Sequence, residues 1–91
     1  MKVEWSELAE TDLDLHVRFM AAADISTALR IEDRILEAVG HLRDMPRMGR
    51  ASVVVGLREL VIGGTPFIAV YRIETARVLI VRLLHGAQLW P

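Results

Sequence analysis

"GLRELVIGGTPFIAVYRIETARVLIVRLLHG", from Gly56 to Gly86, is the stretch that decides the fold. It holds three runs rich in β-formers, "GLRELVIG", "PFIAVYRI" and "RVLIVRLLH". They are separated by "GGT" near Gly63 and "ETA" near Thr75, both short enough for hairpin turns. A chain that reverses twice in this way predicts an antiparallel meander of three strands. Upstream, "DMPRMGR" carries Pro46 and Gly49, which end whatever helix precedes them. Residues 44 to 55 and the last few residues are the stretches predicted to be mobile.

Further upstream the period changes. Ala28, Ile31, Ile35, Ala38 and Leu42 recur at spacings of 3, 4, 3 and 4, the clearest periodicity in the chain, so one face of a helix is apolar there. Asp24 or Ser26 can cap it. Arg30, Asp33, Arg34, Glu37 and His41 fall on its outer side. Before it, Ser6 stands as N-cap of another helix running to about Ala23, with Glu7 and Glu10 at its positive end. This first helix has two apolar stripes, one of Leu8, Leu15 and Phe19 and one of Ala9, Leu13, Val17 and Met20. Two stripes imply two neighbours: the sheet, and a second helix or a partner. The opening "MKVEW" alternates apolar and polar residues and predicts a short first strand. The order is β-α-α-β-β-β, an α+β fold in which a helical hairpin packs on one face of a small twisted, mainly antiparallel sheet. It is read as a single domain over residues 1–91.

Composition narrows the function. The hydrophobic class makes up 53% of 91 residues before the six glycines are added, against roughly 45–50% with glycine included in ordinary domains. So small a chain buries only about 60% of its unfolded surface, which predicts an apolar patch that a tight protein partner covers. The net charge is −1, too little to draw nucleic acid by its field. The cations are ten arginines and one lysine, Lys2; arginine's planar fork suits carboxylates, phosphates and stacked interfaces. With no cysteine there is neither a disulfide framework nor a thiolate metal site, and a cytoplasmic setting fits. No apolar run approaches the roughly 18 residues of a membrane span. No metal constellation or cofactor motif is present.

The ordered set of a strand ending in Trp5, two helices, "L…P…GR", "GLREL", "VYRI" and "VLIVRLLHG…WP" resembles the ParE/RelE superfamily of toxins from bacterial toxin–antitoxin pairs. The resemblance covers nearly the whole chain. It implies the RelE/ParE-like fold and a direct partner, a ParD-like antitoxin, with operator DNA contacted only through that antitoxin in a hetero-oligomer. Two activities are implied by the two branches. In the RelE-like branch, a ribosome-dependent mRNA endoribonuclease, Arg58 and Arg82 match sheet arginines that hold phosphate and His85 is the acid or base. That branch adds sheet lysines and a C-terminal tyrosine or His-Tyr pair, whereas here Lys2 is the single lysine and Tyr71 lies a strand earlier. The ParE-like branch poisons DNA gyrase and commonly ends like "RLLHGAQLWP"; in it Arg58, Arg82, His85 and Trp90 contact the target. This reading is preferred, with a non-toxic interaction domain of the same fold as a third class.

Each residue also has a structural alternative. His85 is a strand-end histidine packed on Leu83, or a functional one. His16 reads as a local polar pair with Asp12. Arg43, Arg47 and Arg50 read as a solvated stretch. Arg58 and Arg82 sit among β-formers, where an unpartnered charge is costly: either acids such as Glu59 and Glu74 satisfy them or they are kept for a target. Leu8, Leu15 and Phe19 are core first and antitoxin-binding second. Arg82 and His85, three apart, point to opposite faces of a regular strand, and the tail 87 to 91 is free to bring Trp90 near one of them.

Overall fold

The computed structural model describes residues 1–86 and 88–91. The chain runs β1 (Lys2–Trp5), α1 (Glu7–Ala23), α2 (Ile25–Gly40), a 3-10 turn (His41–Arg43), β2 (Arg50–Ala51), β3 (Arg58–Val61), β4 (Phe67–Ile73) and β5 (Arg77–His85). The strands lie in the order β1-β5-β4-β3-β2. β1 is parallel to β5, and the other neighbours are antiparallel. The predicted α+β arrangement is therefore present, with one strand more than the sequence indicated.

Local chemistry sets the helix boundaries. The Ser6 hydroxyl accepts the Ala9 N–H at 3.0 Å and starts α1. Asp24, not Ser26, caps α2 by accepting the Thr27 N–H at 3.3 Å, while its own N–H closes α1 on the Met20 carbonyl. A single residue thus ends one helix and begins the next. Hydrogen bonds from Thr27 hold the Asp24 carboxyl below the usual carboxylate range.

α2 supplies one side of the core through Ala28, Ile31, Ile35, Ala38 and Val39. Leu42, the last member of the predicted stripe, is buried from the 3-10 turn instead of from the helix. The sheet supplies the other side through Leu60, Ile62, Phe67, Ala69, Tyr71, Val78, Ile80 and Leu83. Burying one such aliphatic side chain contributes about 1.5–3 kcal/mol.

β5 contains an irregularity that sets its side-chain directions. Tyr71 pairs with Ile80 while Val70 pairs with Arg82, so Val81 is an extra residue. Because of this bulge, Ile80 and Leu83 both enter the same core although three residues apart, where a regular strand would send them to opposite faces. Beyond the bulge the alternation resumes. Arg82 pairs with Val70, and His85 pairs with the core residue Phe67.

The stretch predicted to be mobile is instead held by the sheet. The Tyr71 hydroxyl accepts the Gly49 N–H at 2.9 Å and donates to the Pro46 carbonyl at 2.6 Å. A Cβ at Gly49 would lie 2.7 Å from the Tyr71 ring and 2.8 Å from the Glu59 carbonyl, so the turn that lets β2 pair with β3 requires glycine. The signal was a buried tyrosine needing partners for its hydroxyl, which periodicity does not carry.

Candidate functional site

The candidate site is built on the edge of β5. β1 covers that edge as far as Ile80, which pairs with Trp5. There the chain leaves the sheet as α1, and the remaining backbone groups of β5 need other partners. Side chains of α1 and its cap provide them. The Ser6 hydroxyl donates to the Val81 carbonyl at 3.2 Å, and Asp12 accepts the Leu83 N–H at 2.9 Å. His16 Nε2 lies 3.0 Å from the Leu83 carbonyl; because a carbonyl only accepts, Nε2 carries the proton. Past the helix, the Gln88 side chain accepts the His85 N–H at 2.6 Å.

Asp12 has a second role. Arg82 donates to it from Nε at 2.8 Å and from Nη2 at 3.1 Å, a two-point ion pair. Asp12 is 8% exposed, so the pair is partly shielded and geometrically fixed. Its hydrogen bond to Asp12 raises the guanidinium's pKa. The centre of that guanidinium lies 6.0 Å from the centroid of the Trp90 ring. The indole Nε1 of Trp90 is buried with no acceptor among the described residues. Of the two residues the tail was expected to approach, Arg82 is the one beside Trp90, while Ala87, the first residue of that tail, lies outside the described residues.

The other predicted residues are held elsewhere. His85 meets the Phe67 ring edge-on at 5.6 Å, and His16 meets the same ring at 4.8 Å. Arg58 lies under the 46–50 segment, donating to the Gly49 carbonyl at 3.0 and 2.7 Å and to the Arg47 carbonyl at 3.1 Å. Arg58 and Arg82 therefore engage different partners, and His85 packs edge-on against Phe67. Two expectations are corrected. His16 does not pair with Asp12, because both are drawn to the unpaired edge of β5. Glu59 and Glu74 do not serve Arg58 and Arg82: Glu59 takes Arg50, and Glu74 takes Arg72 and Arg77. Asp12 is the residue the sequence reading missed. Its signal was present, since at helical spacing it falls between the two apolar stripes of α1, where a carboxylate needs a reason.

On the same helix, Leu8, Leu15 and Phe19 are exposed, Phe19 to 83%. Ala9 is buried in the core, with Leu13 and Met20 packed against it. The second stripe thus meets the sheet and the first faces outward, beside exposed Ile25, Leu29 and Leu36 of α2.

Residues 3–90 match the family model described as the ParE toxin of the type II toxin–antitoxin system parDE. A Sinorhizobium fredii protein named "Putative toxin Y4kP" is 33% identical over 90 residues, covering 99% of this chain and 93% of its own. A solved structure titled as the chromosomal ParDE toxin–antitoxin system from P. aeruginosa superposes with a TM-score of 0.86 at 28% identity. The match covers 93% of this chain and 95% of that one.

Proposed function

This chain belongs to the ParE toxin family of type II toxin–antitoxin systems, and from that premise we propose that it poisons DNA gyrase in the cytoplasm and is neutralised by a ParD-like antitoxin bound directly to it. The observation that carries the choice of gyrase is that the two arginines are already engaged with different partners, Arg58 with the Gly49 and Arg47 carbonyls and Arg82 with Asp12. A ribosome-dependent nuclease needs its phosphate-holding cations and its proton-transfer group gathered around one scissile bond. A target-binding poison needs only a shaped surface, and Arg82 backed by Asp12 with Trp90 alongside supplies the residue types common at binding hot spots. Arg58, Arg82, His85 and Trp90 are assigned to that surface, and Leu8, Leu15 and Phe19 to the antitoxin.

The uncovered stripe of α1 supports the second half of the proposal. An amphipathic antitoxin segment laid along it buries three large apolar side chains that the monomer leaves in water. Operator binding and any role in plasmid maintenance then belong to the hetero-oligomer, because a chain of net charge −1 has little affinity for DNA of its own.

The purified protein is expected to inhibit gyrase supercoiling, or trap cleaved DNA, and to leave mRNA on programmed ribosomes intact. Ribosome-dependent cleavage that vanishes in His85→Ala would replace gyrase poisoning with the nuclease reading.

A further inference from the structure

Beside Arg58 the surface opens into a recess of about 350 Å³ lined by Arg47, Ala51, Gly56, Leu57, Arg58 and Ile73. It carries two positive charges and no acidic side chain. Among the described residues neither Arg47 nor Arg58 has a carboxylate within ion-pair distance, and the neighbouring acid, Glu59, is occupied by Arg50 and by the Ser52 hydroxyl. Among the described residues, Arg58 is balanced by backbone carbonyls alone. Carbonyl dipoles orient a guanidinium without neutralising it, so an incoming anion gains the charge pairing that the protein withholds.

Two features make the cation a prepared one. Its Nε and Nη2 are fixed on Gly49 and Arg47 carbonyls, so the ordering cost of a flexible arginine is already met by the fold. Those carbonyls belong to the segment pinned by Tyr71, so the fork and its support move as one body.

We infer that this recess binds an aspartate or glutamate carboxylate presented between aliphatic side chains of a partner protein. The apolar surroundings favour protein over nucleic acid. Leu57 and Ile73 line the recess, and on the adjoining loop Val53 and Val55 are 80% and 98% exposed. No lysine and no aromatic ring lines it, whereas a nucleic-acid groove needs several cations along a backbone and rings on which bases stack. The inference rests on the assignment of Arg58 to a partner-facing surface and not on gyrase being the target.

The test is an amide and arginine side-chain NMR titration of the ¹⁵N-labelled full chain with the peptide acetyl-Ala-Leu-Glu-Leu-Ala-amide. The same titration with the glutamine version of the peptide, with inorganic phosphate and with a trinucleotide gives the comparison. The glutamate peptide is expected to shift the Gly49, Gly56 and Leu57 amides and the Arg58 Nε–H in a saturating way. Arg47→Gln, a change at an exposed position, is expected to weaken that binding about tenfold, and the glutamine peptide to bind at least as weakly. Equal binding of both peptides, or no localised shift, overturns the inference. Shifts with phosphate and the trinucleotide but not with the peptide overturn it in favour of a nucleic-acid phosphate site. A supercoiling assay reads the gyrase proposal separately, so either can fail alone.

Discussion

The two helices lie side by side yet hold to the sheet by different means. α2 buries Ala28, Ile31, Ile35, Ala38 and Val39, all apolar. α1, one residue longer, buries Ala9 and Asp12, and grips β5 through Ser6, Asp12 and His16. α2 lies against a sheet face, where the backbone is already paired and the inward positions need only volume. α1 also lies over a strand edge, where backbone donors and acceptors are open, so beside its apolar inner stripe of Ala9, Leu13 and Met20 it carries polar side chains that reach that edge. An apolar residue on α1 that is not needed inside is left to face outward, which is how a helix can be well attached and still leave Leu8, Leu15 and Phe19 exposed.

The largest break in this comparison should come from α2. Ile35→Ala removes a fully buried side chain and is expected to cost about 2–5 kcal/mol, read as a lowered denaturation midpoint at unchanged slope. At about 4–8 °C per kcal/mol for a domain of this size, the thermal midpoint falls by well over ten degrees if the cost is near the middle of that range.

Asp12→Ala tests the stitching of α1. It strands the Leu83 N–H and leaves Arg82 without its counter-charge, for an expected loss of about 2–4 kcal/mol. The double variant Asp12→Ala with Arg82→Met should be less destabilised than the two single losses added together, because the second change removes the charge that the first left unpaired. Strict additivity would show that the pair is not coupled and that Asp12 matters through Leu83 alone.

Phe19→Ser should leave the thermal midpoint nearly where it is, within about 0.5 kcal/mol, because the ring is mostly in water already. Its expected effect is on rescue: a co-expressed antitoxin should protect cells less well against this variant than against the parent. Undiminished rescue would place the antitoxin elsewhere.

The smallest effect is expected away from both helices, at Glu74 on the β4–β5 turn. Hydrogen bonds from Arg77 and then Arg72 hold its pKa below the ordinary glutamate value. A carboxylate with a depressed folded-state pKa adds stability that is fully present above its unfolded pKa and is lost as pH falls through the folded one. Glu74→Gln should therefore unfold over an acid range slightly less steeply than the parent, with no difference at neutral pH beyond the loss of the exposed ion pairs. The group is solvent-screened, so a large change would mean that these pairs do more than surface pairs ordinarily do.

This contrast also explains what was legible in the sequence. Ala28, Ile31, Ile35 and Ala38 announce α2, and the meander announces itself through its turns, because both depend on periodicity that the chain carries locally. Asp12 and His16 could be placed on α1 but not understood there, since their partner is a backbone amide and carbonyl some seventy residues away. β2 was missed for a similar reason: two residues show no period, and what holds them is Tyr71 and Glu59 on other strands. The tail was expected to bring Trp90 near Arg82 or His85, and it lies by Arg82, whereas Arg82's counter-ion on α1 was not legible because Asp12 reads in the sequence as a local partner of His16.

The parallel pairing of β1 with β5 carries a consequence for the protein's birth. Ser6 bonds to Val81 across 75 positions, and the chain leaves the ribosome at about 5–20 residues per second. For several seconds the residues of β1, α1 and α2 are present with no β5 backbone for Asp12 and His16 to hold, and Arg82 has not yet been made. A binder that recognises the outward stripe of α1 can meet the nascent chain during that interval. On the proposed reading, an antitoxin bound there would hold the toxin before Arg82 exists.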